Sequence, residues 1–229
     1  MARRVGMPAE LIGVGPIEVY ADPRLSIPDV WLPRGRWKSG PMHTFTDDFR
    51  QEFFWRRPME GLLVASLAKV CTAPDFSVYV DDPPEWAAFQ VWRSALIAQF
   101  WQSAGVRVLP IVSLRGNAER FVRRGSVWAI RGPERGADLG WYADELQAWA
   151  KRARPGLLVV FGRALPDNLT LPCETLQRAL VPARAYCTKS GESQANGRKG
   201  KKARASRPKC VDSGGLGRKA AGVCADAVV

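Results

Sequence analysis

Asp75 is the residue of this sequence best placed to do chemistry. It follows a short apolar run, 70–73, and lies between Pro74 and Phe76, where a carboxyl group has little access to water. A desolvated carboxylate takes up its proton at an unusually high pH, or needs a cation or hydrogen-bond donors to stay ionised. The plainer reading is that Asp75 stabilises a turn by bonding its own backbone, as Asp does after Pro. Three further carboxylates, Asp47, Asp48 and Asp81, fall near ends of other apolar segments. Converging with Asp75, they would form the oxygen-rich set that Mg²⁺ prefers. Capping a helix is the competing use for Asp47, and nothing local enforces convergence. The candidate catalytic set is therefore Asp75, Asp81, Asp47, Asp48 and Arg93, with no metal ligands assigned and no cofactor indicated.

Arg93 joins that set because it lies, with Gln90 and Ser94, on the narrow polar strip of an otherwise apolar helix. A guanidinium there needs a carboxylate partner inside the fold; Asp75, at the start of the same unit, is the expected one. Other polar residues expected at strand ends are His43, Ser77, Ser113, Arg115, Arg131 and Arg163. His43 is the only histidine of the chain, which excludes a histidine-rich metal site within one copy. Ser113 lacks the glycines of a nucleophile elbow, which argues against serine hydrolysis.

The elements that must hold these groups are clearest between Pro74 and Ser113. Asp82 reads as a helix cap, with Pro83 at the first helical position and Glu85 three residues after the cap. The helix continues to Ser103, Gly105 stops it, and VRVLPIV reads as a buried strand. With the strand at 70–73 this spells a βαβ unit. Upstream, Ile17–Tyr20 is a possible strand, His43–Phe45 a strand end, and a short helix with Phe49, Phe53 and Trp55 inward ends at Pro58. A second helix spans Met59–Lys69. Downstream come a brief helix at Gly116–Arg123, a strand at Ser126–Ile130, and a helix from Leu139 to about Ala153 capped by Asp138. Leu157–Phe161 reads as another buried strand, Glu174–Leu180 as a last helix and Arg184–Cys187 as a last edge. The rhythm implies an α/β fold with a mostly parallel sheet of about six strands. Both an incomplete (β/α)-barrel-like form, slightly favoured, and a doubly wound sheet fit.

The block Pro74–Ser113 also carries a resemblance. Asp47-Asp48-Phe49 with Trp55 and Pro58 comes first, then the Pro74–Ser77 turn. Arg93 and Trp101, Gly105 and Pro110, and Val159–Gly162 follow. Together they resemble the domain of unknown function 4417, a family found in phages, plasmids and other bacterial mobile elements. The resemblance covers about residues 40–165, with Leu114 standing where many relatives carry Trp. It implies a shared fold and a mobile-element setting, and no assigned activity.

Composition bounds the remaining possibilities. With 229 residues, 46% apolar content and nine tryptophans, the chain can build one full core. No run reaches the ~18 apolar residues of a membrane span, and no signal peptide is evident, so a cytoplasmic setting without membrane is expected. Five cysteines show no zinc-like pairing and no disulfide framework. The net charge is +12, and +7 of it falls after residue 186, where ten Lys/Arg face three Asp/Glu. The organisation expected is an irregular arm at 1–40, an α/β domain at 41–186 and a disordered basic tail at 187–229. Arg198, Lys199, Lys201, Lys202, Arg204, Arg207 and Lys209 would draw DNA or RNA by counterion release. With no aromatic among them, binding would be non-specific. Two functions follow: an accessory protein of a plasmid or phage acting on or near nucleic acid, or a carboxylate- or metal-dependent hydrolase of a phosphate-bearing substrate. The hydrolase needs three or more carboxylates in one pocket.

Overall fold

The computed structural model describes residues 8–176, apart from 12–14, 25, 35–36, 38, 80 and 168. All of these fall within the compact unit Met1–Cys187. The expected edge Arg184–Cys187, the end of the expected last helix and the basic tail lie outside the described residues.

Two parallel sheets form in chain order. The first joins β1 (Leu32–Pro33), β2 (Met42–His43), β3 (Val70–Thr72) and β4 (Arg107–Leu109). The second joins β5 (Val127–Arg131), β6 (Leu157–Phe161) and β7 (Glu174–Leu176). Beyond β4, Ile111 makes an isolated parallel bridge to Ala129 of β5, with hydrogen bonds from Ala129 N to Pro110 O and from Val112 N to Ala129 O. Seven short strands are thus seen among the described residues. Glu174–Leu176 is strand rather than the start of the expected helix. Parallel pairing with β6, Leu157 opposite Glu174, takes up these backbone groups, whereas a short helix starting here would leave its first-turn N–H groups unpaired. Of Ile17–Tyr20, only Val19 pairs, with Val122.

The strands divide the core between their faces. On one side Cys71, Val108, Trp128, Ile130, Leu158 and Val160 pack against helices. On the other, Val70, Leu109, Val127, Ala129, Leu157, Val159 and Phe161 form a second cluster with Ile27, Trp31 and Phe45. That alternation is the period of two of extended chain. The Trp31 ring meets Phe161 edge-on at 5.3 Å, and His43 and Phe45 also contact Phe161.

Four helices cover the first face. α1 (Asp48–Arg56) and α2 (Pro58–Ala68) are separated by Arg57, with Pro58 opening α2. Phe49 is exposed, contrary to expectation; the buried residues are Gln51, Phe54 and Trp55. Gln51 turns inward because its amide donates to Thr44 O (2.6 Å) and Thr46 Oγ1 (2.8 Å). This leaves Phe49 outside under the Arg50 guanidinium.

α3 (Pro84–Ser103) is capped by Pro83, not by Asp82. Two successive prolines shift the first turn by one residue, and the Asp82 carboxylate instead accepts the Tyr79 N–H at 2.7 Å. Gly105, at φ +84°, ends the helix in a conformation that favours glycine. α4 (Leu139–Ala153) has the expected cap: Asp138 Oδ1 accepts the Gly140 and Trp141 N–H groups. Tyr142, Leu146, Trp149 and Ala153 face inward, and Trp128 meets Trp149 edge-on at 5.0 Å. Among the described residues no helix is long and apolar enough to cross a membrane.

Candidate functional site

Because the strands are parallel, their C-terminal ends lie together, and the Pro74–Ser77 turn leaves β3 there. This turn is tied down residue by residue. Ser94 Oγ donates to Pro74 O at 2.6 Å, and Gln90 Nε2 reaches Ser77 O at 3.4 Å. The Arg93 guanidinium lies over the Phe76 ring, 3.5 Å from its centre. From α1, Asp48 Oδ1 accepts Ser77 Oγ at 2.7 Å and the Ser77 N–H at 3.3 Å. Just before the turn, Thr44 Oγ1 donates to Ala73 O and lies 2.8 Å from Thr72 Oγ1. The polar strip of α3 is therefore the surface that holds the turn, which explains how Gln90 and Arg93 come to be buried.

Asp75 is the exception within this clamp. Among the described residues its carboxyl group has no hydrogen-bond or ion-pair partner, and it lines a cleft. Arg93 does pair with a carboxylate inside the fold, but with Glu52 (2.7 Å) rather than Asp75. Glu52 lies on α1, across from α3, whereas Asp75 borders the cleft. Burial pushes the Asp75 carboxyl up to about 7; nearby Arg131 opposes the rise and Asp48 adds to it. The group keeps an open face onto the cleft while most of its surroundings are protein, so the direction follows from desolvation.

The cleft has two lobes that share Asp75, Val78, Ile111, Val112 and Leu114. One, about 230 Å³, is bordered by Gln90, Ser94, Ser113, Arg115 and Trp141. The other, about 340 Å³, is bordered by Phe45, Ser77, Tyr79, Arg131, Glu134 and Tyr142. Arg131 makes an exposed ion pair with Glu134 at 3.2 Å, and its carbonyl accepts the Tyr142 hydroxyl at 3.0 Å. Burial pushes the Tyr142 phenol up.

His43 lies under this region, buried against Phe45 and Phe161, with neither ring nitrogen hydrogen-bonded. Burial, with Arg131 nearby, lowers it to about 4, so the imidazole is neutral at neutral pH.

The remaining candidates separate. Asp47 is exposed, makes no side-chain cap bond and pairs with Arg50 at 3.4 Å. Asp81 is exposed and borders neither lobe. Ser113 Oγ donates to Arg115 O, a turn contact. Arg163 is exposed beyond β6. Among the described residues no group of three or more His, Cys, Asp or Glu is placed to share a metal ion. Of the candidate aspartates, Asp48 is the one whose charge acts on Asp75. The sequence reading missed Trp141 and Tyr79, exposed aromatics at the two lobe mouths. Gln90 and Ser94 had a signal, since they accompany Arg93 on the polar strip.

The geometry defines a parallel α/β protein with a carboxyl-centred cleft at its strand ends. A family model described as a domain of unknown function (DUF4417) matches residues 34–171, and the chain belongs to that family. The Gene 1 protein of Mycobacterium phage D29 is 31% identical over 144 residues, covering 58% of this chain and 53% of that protein. The Gene 1 protein of Mycobacterium phage L5 is 34% identical over 71 residues, 31% of each chain. This chain thus spans about half the length of the first relative and under a third of the second. No solved structure matches.

Proposed function

We propose that this is a phage accessory protein acting on nucleic acid, with Asp75 as a single acid–base group in the cleft. The basic 187–229 segment supplies affinity for the polyanion without reading sequence. The observation that carries the reading is the unpartnered Asp75 carboxyl, presented into a cleft by a turn whose other three residues are each held. Groups so placed, with an affinity for protons tuned towards neutrality, are those that transfer protons. Phage relatives and the net charge of +12 support the choice of nucleic acid over other substrates.

The same reading takes the two sheets as parts of one incomplete (β/α) barrel. Strand order follows chain order with no reversal, whereas a doubly wound sheet reverses at its switch point. The Ile111–Ala129 bridge sets β4 beside β5, and Phe161 meets Trp31, His43 and Phe45 across the inner cluster. In such barrels the C-terminal strand ends carry the chemistry.

Titration of the full chain with unrelated duplexes at several salt concentrations tests the binding. Sequence-independent affinity is expected. Replacing Arg198, Lys199, Lys201, Lys202, Arg204, Arg207 and Lys209 by Gln should flatten the log–log salt slope by up to about 6, at ~0.9 per phosphate contact. Equal affinity and slope for both proteins would remove the tail from the account.

A further inference from the structure

The two lobes of the cleft are furnished alike. Each shares the Asp75 floor and the apolar wall of Ile111, Val112 and Leu114. Each has one exposed aromatic at its mouth, Trp141 (41% exposed) on one side and Tyr79 (59%) on the other. Each also carries one arginine, Arg115 or Arg131, both exposed. Arg131 is engaged by Glu134 only through a solvent-exposed pair, which a stronger anion can displace.

The chemistry that fits is a planar ring with hydrogen-bonding groups on its edge and an anionic group on either side. A base inside a duplex offers neither its ring face nor its pairing edge to a cleft of this kind; an unpaired or extruded base offers both. Aromatic side chains at a cleft mouth stack on bases whatever their identity, because every base has a π-face. A single carboxyl group at the floor meets the edge of the ring, and arginines suit phosphate oxygens.

We infer that the cleft receives one unpaired base of a nucleic-acid strand at Asp75, with the flanking phosphates at Arg115 and Arg131. This rests on the reading of the protein as one acting on nucleic acid, and divides the labour within it. The tail, with no aromatic residue between Arg198 and Lys209, holds any polyanion. The cleft selects single strands.

The test uses the 229-residue chain with the seven cations from Arg198 to Lys209 changed to Gln, so that the cleft is read against a low background. Labelled single-stranded oligonucleotides, DNA and RNA of one sequence, are compared with the corresponding blunt DNA duplex. At least tenfold tighter binding of a single strand is expected. Trp141→Ala and Arg115→Met, both at exposed side chains, should each reduce that preference at least threefold with melting temperatures unchanged. Equal binding of single strand and duplex, or a preference indifferent to both substitutions, would overturn the inference. In that case duplex binding by the unmodified chain would leave the broader nucleic-acid reading standing. Failure of the unmodified chain to bind any of these polyanions would overturn both.

Discussion

Arg93 stacks on Phe76, with its guanidinium carbon 3.5 Å from the ring centre, and extends to Glu52 at 2.7 Å. Glu52 on α1, Arg93 on α3 and the ring next to Asp75 are thus linked through one buried cation. Removing Glu52 leaves that cation without its carboxylate, at a cost of about 3–5 kcal/mol. Glu52→Gln is therefore expected to destabilise strongly, and Arg93→Met combined with it to cost clearly less than the sum. Urea denaturation of the four proteins measures the coupling. A cycle of Asp75→Asn with Arg93→Met should give a smaller coupling than the Glu52 cycle, and a larger one would restore the Asp75–Arg93 pairing.

Much of this arrangement was legible in the residue order, and the reasons differ by element. α4 could be read to its ends because Asp138 caps it, apolar residues recur at helical spacing, and Pro155-Gly156 follow. The β3–α3–β4 unit was legible through its buried strands and Gly105. The partner of Arg93 was not, since Glu52 and Arg93 are forty-one positions apart and only the packing of α1 on α3 joins them. Asp82 misled because its cap signal is real, yet the second proline moves the helix start. Asp75 had the strongest claim by its setting between Pro74 and Phe76, but Asp47, Asp48 and Asp81 could not be ranked behind it as carboxylates near strand ends. The turn chemistry at Ser77 and the exposure of Asp47 and Asp81 separate them, and neither is local in sequence.

Asp75 and His43 should oppose one another in the pH dependence of stability. The folded Asp75 carboxyl, at about 7, lies above its ordinary 3.8, so its contribution is full below about pH 4 and is lost as pH rises towards 7. His43, lowered from 6.5 to about 4, contributes fully above about 6.5 and loses this as pH falls towards 4. Arg131 acts on both groups and Asp48 on Asp75. Between pH 4 and 6.5 the slopes, each up to about 1.4 kcal/mol per pH unit, partly cancel. Asp75→Asn should uncover stability rising with pH, and His43→Leu stability falling with pH. Urea midpoints at pH 4.5, 5.5 and 6.5 read both, and parallel profiles for all three proteins would contradict the assignment.

Gly132 follows Arg131 where β5 and β6 end side by side. A Cβ there would stand 1.9 Å from the Arg163 carbonyl oxygen, so the two strand ends would have to separate. Gly132→Ala is expected to destabilise by at least ~1–3 kcal/mol, the range for overpacking. Gly15, with open space around it, should accept Ala and gain about 0.4–1 kcal/mol from a stiffer unfolded chain. Thermal unfolding of both variants gives the comparison; equal shifts would mean that the strand ends are not in contact.

The clamp on the Pro74–Ser77 turn makes a last, separable prediction. Pro74 is buried, and among the described residues its carbonyl receives its hydrogen bond from Ser94 Oγ. Ser94→Ala would leave a buried acceptor unsatisfied, at about 1–3 kcal/mol. Ser103 Oγ donates to the Phe100 carbonyl at an exposed helix end, where water can replace it. Ser103→Ala should therefore change stability by less than about 0.5 kcal/mol. Ser77→Ala falls between them, because its bond to Asp48 is solvent-accessible but also removes a fixed partner from that carboxylate. The ordering expected in chemical denaturation is Ser94 greatest, then Ser77, then Ser103. Since Ser94 holds the residue before Asp75, its loss should also weaken single-strand binding by the cleft more than Ser103→Ala does. If Ser94→Ala is as mild as Ser103→Ala in both measurements, the turn is held by the Phe76–Arg93 stack, and Asp75 owes its position to that contact instead.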